Sequence, residues 1–396
     1  MKNKLRVLGT TAPVLLVLSG AAQADEDACQ SFKQSLLSRD QAQPGSHAKG
    51  LIQKLTACRT QQLSAGKLPG KKPDSSGTFI VFPIPGSSFP NPTAITAKGF
   101  VTGYYFDADN LIHSFWRAPD GTISMFDPPG STCNPINNGC SSGNDMNSEG
   151  TIVGSYQPAS APGQINGYLV DQKGFTTINF PGALGMTNPV AINHAGAVAG
   201  NYIGSGFLHG FLRSANGIFT AFDPVDAIAT QADSINPSGA ISGIYADVSY
   251  NIHGFVRSQD GSITKYDTSG FLGSLPPSRI NAKGDVSGSY CDDAGCNLIH
   301  GFLRTSDGTI TPIGVPGDNA GTVAMDINEG GDVTGNYFPS DFLSLRGYVR
   351  TRQGEFVKVD VPGMIVTYPT AMNESGMVTG LTCDETGACQ AFIWKK

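Results

Sequence analysis

Charge is scarce in this 396-residue sequence: 15% of residues are charged, with 26 Lys and Arg against 32 Asp and Glu. No basic run occurs, so the electrostatic footprint of a nucleic-acid or anionic-membrane binder is missing. Histidine appears six times. CxxC, HExxH and phosphate-binding glycine loops are absent, which removes the usual signatures of zinc sites and nucleotide sites. No apolar run is long enough to span a bilayer, so membrane insertion is not expected. What is abundant is glycine (50) and proline (25), beside 39% hydrophobic residues. That mixture suits many short strands and tight turns rather than disorder.

The first residues read as an export signal. Lys2, Lys4 and Arg6 precede a short apolar core at Val14, Leu15, Leu16, Val17 and Leu18, and Ala22-Gln23-Ala24 is a cleavage site. Residues 1–24 are therefore expected to leave after Ala24, placing the protein in the periplasm or outside the cell. Their removal lowers the net charge from −6 by three, to −9. Eight cysteines in an exported chain read as disulfides. Spacing suggests neighbours: Cys29 with Cys58, Cys133 with Cys140, Cys291 with Cys296, Cys383 with Cys389. Residues 25–66 show helical periodicity broken at Pro44-Gly45, which predicts a helical hairpin clamped by Cys29 and Cys58. Residues 67–76 read as a linker.

From residue 77 the sequence repeats. One unit reads I-N-x-x-G-x-V-x-G-x-Y, a variable loop, H-G-F-L-R, then D-G-x-I-T-x-F-D-x-P-G. The first glycine recurs at Gly99, Gly150, Gly196, Gly239, Gly284, Gly331 and Gly376, and the second lies four residues later in each copy. A period of about 45 residues indicates a propeller or solenoid. Each unit holds four strand-like runs, in the third copy 188–193, 197–202, 209–214 and 218–223. Four antiparallel strands repeated seven times predict an all-β, seven-bladed propeller over 77–396. The seventh copy stops after three strands, at Ala391, Phe392, Ile393 and Trp394. Residues 77–86 match the missing fourth, so the two ends are expected to share one blade.

The repeat resembles the HAF-type extracellular repeat family of bacterial secreted proteins. Gln390-Ala391-Phe392-Ile393-Trp394 comes nearest to its H-A-F triplet, and the other copies begin at His113, Asn166, His209, His253, His300 and Arg346. Glycine mostly replaces the alanine. The resemblance implies export and a repeat fold, and no reaction.

The repeated histidines suggest either a metal ring or, more simply, hydrogen bonds within each blade; no metal site is assigned. Gly139-Cys140-Ser141-Ser142-Gly143 formally matches G-x-S-x-G but has no following helix. Asp107 and Asp109, with Asp292, Asp293, Asp384 and Glu385 in matching loops, hint at calcium or at solvated loop acids. Tyr105, Tyr156, Tyr202, Tyr245, Tyr290 and Tyr337 end the second strands. They suit an inter-blade core, or a stacking platform for sugars at the channel mouth.

Seven near-equivalent blades without a unique acid, base or nucleophile cluster favour a non-catalytic, monomeric binding or scaffold protein with a protein or carbohydrate ligand. The alternative is a secreted carbohydrate-active hydrolase or lyase, which would draw on Asp107, Asp109, Asp292, Asp293, Asp341 and Asp384. The tight N-x-x-G and D-G turns fall on one face of the ring. The longer loops, 106–112, 291–299 and 382–389 among them, fall on the other, where a ligand is expected.

Overall fold

The computed structural model describes residues 44–64, 76–133, 139–270, 278–292, 298–317, 321–339 and 343–396. Among the described residues one helix, α1 (Pro44–Ser64), precedes 28 strands in seven four-stranded antiparallel sheets. The chain enters through β1 (Thr78–Phe82). Blade 1 is β2 (Phe89–Ile95), β3 (Val101–Phe106), β4 (Ile112–Arg117) and β5 (Ile123–Phe126); blade 2 is β6 (Ser141–Met146), β7 (Ile152–Tyr156), β8 (Asn166–Asp171) and β9 (Gly174–Ile178). Blade 3 is β10 (Thr187–Ile192), β11 (Val198–Gly204), β12 (Phe207–Arg213) and β13 (Phe219–Phe222); blade 4 is β14 (Ala227–Ile235), β15 (Ile241–Asp247), β16 (Ile252–Arg257) and β17 (Ile263–Tyr266). Blade 5 is β18 (Arg279–Ile280), β19 (Val286–Cys291), β20 (Ile299–Arg304) and β21 (Ile310–Ile313); blade 6 is β22 (Thr322–Ile327), β23 (Val333–Tyr337), β24 (Arg346–Arg350) and β25 (Phe356–Val359). Blade 7 combines β26 (Val366–Met372), β27 (Val378–Cys383) and β28 (Cys389–Lys395) with β1, in the order β1-β28-β27-β26. β1 runs antiparallel to β28, Thr78 opposite Lys395 and Phe82 opposite Ala391. The third-copy strands sit within three residues of their expected ends.

The two repeated glycines do different work. The first closes the turn between first and second strands with a left-handed backbone, as at Gly150 (φ 81°). The second faces a bulge in the first strand, where the register slips at Pro92/Ala94 in blade 1 and Ala324/Asp326 in blade 6. There the strand's carbonyl comes so close that a Cβ on Gly103 would stand 2.2 Å from the Asn91 oxygen. Only glycine fits such an approach.

Packing between blades follows from H-G-F-L-R. Its aromatic residue is fully buried as Phe115, Tyr168, Phe211, Phe255, Phe302, Tyr348 and Phe392, each contributing about 1.5–3 kcal/mol by burial. In blades 1, 4 and 5 its arginine crosses to the outer strand of the preceding blade, Arg117 over Phe82, Arg257 over Phe222 and Arg304 over Tyr266, whereas Arg213 lies over Phe219 of its own blade.

α1 begins at Pro44, a first-turn position that tolerates a missing N–H. The first helix of the expected hairpin, residues 25–43, lies outside the described residues. α1 itself is packed onto the ring. Ile52, Leu55 and Cys58 share a core with Phe89, Phe106, Phe338, Ile365 and Leu381 of blades 1, 6 and 7. The Arg59 guanidinium donates to the Leu343 carbonyl at 3.2 Å.

Candidate functional site

The turn residues define the two faces of the ring. On the tight-turn face the repeated asparagine accepts backbone N–H groups of its own turn, as Asn147 Oδ1 does from Glu149 and Thr151. Its amide donates to the equivalent carbonyl of the next blade: Asn147 to Asn193 (3.2 Å), Asn193 to Asn236 (3.1 Å), Asn236 to Asn281 (2.9 Å) and Asn281 to Asn328 (3.4 Å). This face is committed to holding blades together.

The opposite face carries the repeated histidines, while His194 lies in a turn of the tight-turn face, bonded to Ser148. His113 Nδ1 lies 2.8 Å from Asp127, His209 Nδ1 2.8 Å from Asp223 and His253 Nδ1 2.6 Å from Asp267. Each of these acids directly follows the fourth strand of its own blade. Gly314 takes the acid's place in blade 5. Each imidazole also stacks on the tyrosine opposite it: Tyr105 with His113, Tyr202 with His209, Tyr245 with His253 and Tyr290 with His300. Of the six candidate tyrosines, Tyr105, Tyr156, Tyr245, Tyr290 and Tyr337 are buried and Tyr202 is half-buried. Tyr156 bonds Thr177 at 2.9 Å. Hydrogen bonding to Asp127 raises the His113 pKa against the opposing effect of burial. At His253 burial is outweighed by its bonds to Asp267 and Asp247, and the pKa again rises.

The loop acids act as turn caps. Asp107 Oδ1 accepts the N–H groups of Asp109 (2.9 Å) and Leu111 (2.8 Å), while Oδ2 faces His113. Asp247 caps Ser249 and Asn251 in the same way, and Asp384 caps Thr386 and Ala388. Asp247 is held down to about 2, first by its bonds from Asn251. The loops 106–112 and 382–389 stand out in the sequence as longer than the tight turns. They are instead five-residue turns built like N-x-x-G, with aspartate in place of asparagine. Asp109 and Asp292 are exposed, and Asp292 Oδ1 caps Leu298. Asp293 and Asp341 lie outside the described residues.

One cluster among the described residues brings His113, Asp127, Cys133 and Cys140 within 4.8 Å. Its cysteines are bonded to each other, so neither offers a thiolate. Cys383 and Cys389 form a second bridge. Cys58 and Cys291 are disulfide-bonded as well, and Cys29 and Cys296 lie outside the described residues. Ser141, the centre of G-x-S-x-G, is buried in β6 and donates to Asp127 at 2.6 Å rather than to an imidazole.

A second set of groups escaped the sequence reading. Asp145 (blade 2), Asp233 (blade 4) and Asp326 (blade 6) sit on innermost strands, and all three feel the charge of Arg279 in blade 5. Burial pushes Asp145 up to about 6 and raises the other two. Each also staples blades: Asp145 accepts from Ile192, Asp233 from Ser278 and Asp326 from Met372. Asp233 stands one residue further back, but for Asp145, Asp326 and their partner Arg279 the signal was present two residues before the repeated asparagine. That position is Ala94, Ala191, Ser234 or Ala371 in four blades and charged in three, as Asp145, Arg279 and Asp326.

No family model matches the chain, and no curated protein matches it. Among solved structures it is similar to a streptogramin B lyase, at 14% identity and TM-score 0.51 over 80% of this chain and 97% of that one. A catalytically inactive virginiamycin B lyase from Staphylococcus aureus, solved with quinupristin, is 12% identical at TM-score 0.52, over 81% and 100% of the two chains. The β-propeller domain of the Trilobed protease from Pyrococcus furiosus is 11% identical at TM-score 0.51, over 78% and 96%. At such identities the likeness is one of fold: this chain is a seven-bladed β-propeller.

Proposed function

We propose that the chain is an exported binding propeller that takes a ligand on its loop face, its leader removed after Ala24. The observation that carries this reading is the division of labour between the faces. The asparagine turns of one face bond blade to blade. The other face is stiffened by capped turns and disulfides, and it alone seats α1. Stapled loops lose less entropy on binding. Its histidines and acids recur blade after blade in the same partnerships, as structural groups do. No described helix is long and apolar enough to cross a membrane.

A second reading rests on Asp145. A carboxyl that burial holds up to about 6, against the lowering charge of Arg279, has the electrostatics of a general acid, which suits a hydrolase or lyase. One experiment separates the two. The mature chain is screened on glycan and peptide arrays, and retained compounds are checked for turnover. Saturable retention without product supports binding. Product formation abolished by Asp145→Asn supports the enzyme and overturns the binding reading.

A further inference from the structure

The junction of blades 1 and 2 departs from the repeat. Seven residues before the first-turn residue, other blades carry Phe89, Met186, Ala229, Gly321 and Val366, whereas blade 2 carries Cys140. The backbone fixes this cysteine on both sides: its N–H donates to the Ile112 carbonyl at 3.0 Å, and its carbonyl accepts from Gln157 at 3.1 Å. The side chain is fully buried, and its Sγ lies 3.8 Å from Nε2 of His113. The imidazole is held on its other side by Asp127, 2.8 Å from Nδ1, and Ser141 donates to Asp127 at 2.6 Å. Asp107 stands 3.4 Å from Nε2, and Tyr105 stacks on the ring. Among the described residues, Asp127, Asp107 and Tyr105 are the titratable groups that face the imidazole.

The Cys133–Cys140 bridge is therefore unequal at its two ends. Cys133 is exposed, and Cys140 is covered. Attack from solution falls on Cys133 Sγ and expels Cys140 Sγ. Exchange is fast when the leaving thiol has a low pKa, and a neighbouring imidazolium lowers it. Hydrogen bonding to Asp127 raises the His113 pKa against burial, so the ring keeps its proton to higher pH than a free histidine. The Cys383–Cys389 bridge supplies the contrast, at a sequence separation of 6 against 7. Cys383 lies in the apolar core shared with α1, which disfavours a thiolate, and Cys389 Sγ meets the Gly387 carbonyl at 3.4 Å. Gln390 stands where blade 1 has His113.

We propose that Cys133 and Cys140 form a thiol–disulfide exchange site whose substrate is a dithiol, with Cys133 as the attacked sulfur and His113 as the group that receives the leaving Cys140. One thiolate of the dithiol bonds to Cys133 Sγ. The Cys133–Cys140 bond breaks, and its electron pair goes to Cys140 Sγ, which takes the proton of His113 Nε2. The second thiolate of the dithiol then attacks its own partner sulfur in the mixed disulfide and frees Cys133 as a thiolate. The dithiol leaves as a disulfide, having passed two electrons to the two cysteines. Asp127, anchored by Ser141, is the positioning residue for the imidazole. The site needs no ligand on the loop face and stands apart from the proposed binding function.

The test uses the full mature chain. One sample is incubated with glutathione, quenched in acid, alkylated and mapped. A second is reduced with dithiothreitol, and the opening of each bridge is timed. The glutathione adduct should sit on Cys133. Dithiothreitol should open Cys133–Cys140 roughly tenfold or more faster than Cys383–Cys389. His113→Gln, which installs the residue blade 7 has at this position, should slow that opening roughly tenfold and leave Cys383–Cys389 unchanged. His253→Gln removes the equivalent ring of blade 4, whose Nε2 faces Asp247, and should change neither rate. Divided by the thiolate fraction of the reagent, the wild-type rate should fall as pH rises through the raised pKa of His113, and His113→Gln should abolish that fall. An adduct on Cys140, equal rates for the two bridges, or a wild-type rate in His113→Gln overturns the proposal. If His113→Gln fails to melt cooperatively, the wild-type chain decides alone: a flat pH profile or an adduct on Cys140 overturns the site, and an adduct on Cys133 with the falling profile upholds it.

Discussion

Asn373 donates its side-chain amide to the main-chain carbonyl of Thr96 at 2.8 Å, joining the first turn of blade 7 to that of blade 1. The same bond runs from blade to blade as Asn147 to Asn193 and onward to Asn328. Blade 1 has threonine where the others have asparagine.

Breaking this belt should destabilise the fold. Asn236→Ala strands the Ala240 N–H and removes one of the two donors to the Asn281 carbonyl, which keeps the Gly284 N–H, at a cost of about 1–3 kcal/mol. Asn236→Asp keeps the turn cap but sets a carboxylate oxygen against the Asn281 carbonyl at a buried position, so it should destabilise at least as much at neutral pH and recover as the pH falls. Thr96→Asn should stabilise by about 0.5–1 kcal/mol, by supplying the missing donor. Urea denaturation checks all three. Equal stability of Asn236→Ala and wild type would remove the belt's structural role.

The pH of maximum stability should be acidic. Asp145, Asp233 and Asp326 have raised pKa values in the folded ring. The folded state therefore holds protons the unfolded chain has released, and stability falls as pH rises from about 4 through 6. For Asp145, at about 6, the loss is at most about 3 kcal/mol. His113 and His253, also raised, lose their contribution as pH rises further. The lowered acids Asp247 and Asp384 act in the opposite sense and are lost only at strongly acid pH. Thermal melts from pH 3 to 8 should peak near pH 4–5, and Asp145→Asn should flatten the descent between about pH 4 and 6.

Peptide mapping without reduction should recover Cys133 with Cys140 and Cys383 with Cys389. It should also join Cys58 to Cys29 and Cys291 to Cys296. Replacing Cys383 and Cys389 by serine opens a loop with a sequence separation of 6 and should cost roughly 2 kcal/mol. A bridge between Cys58 and Cys296 would overturn the local pairing.

Removing residues 77–86 should leave β28 with an unpaired edge. The expected result is aggregation and loss of the cooperative melt. A monomeric, fully cooperative deletion variant would show that β1 is dispensable.

Blade number and strand order were legible because glycine placement is backbone chemistry. Gly150 needs a left-handed turn and Gly103 a close approach, so neither tolerates a side chain and both recur. The asparagine of I-N-x-x-G was legible as a turn residue, but its amide reaches into the next blade, and no spacing within one copy reveals that. The loop acids were visible as residues and misread as a class. Asp107 and Asp384 look like free carboxylates until the N–H groups two and four residues on are seen to point at them. The seat of α1 was invisible, because Lys49 and Asn110 are brought together only by closure of the whole ring.

The pairing of β1 with β28 bears on how the ring is made. Phe79 meets Trp394 only when nearly the whole described chain has been threaded through six blades. Closing a loop of about 300 residues costs roughly 5 kcal/mol in chain entropy, repaid only at the end. Blade 7 is thus a kinetic gate: blades 1 to 6 can stack in sequence, while the strand that comes first in the chain is the last to be placed. Because Thr78 and Lys395 end side by side, the ring is also indifferent to where its backbone is cut. Joining those ends and reopening the chain at a tight turn would move the gate to another blade and let folding order be set by design.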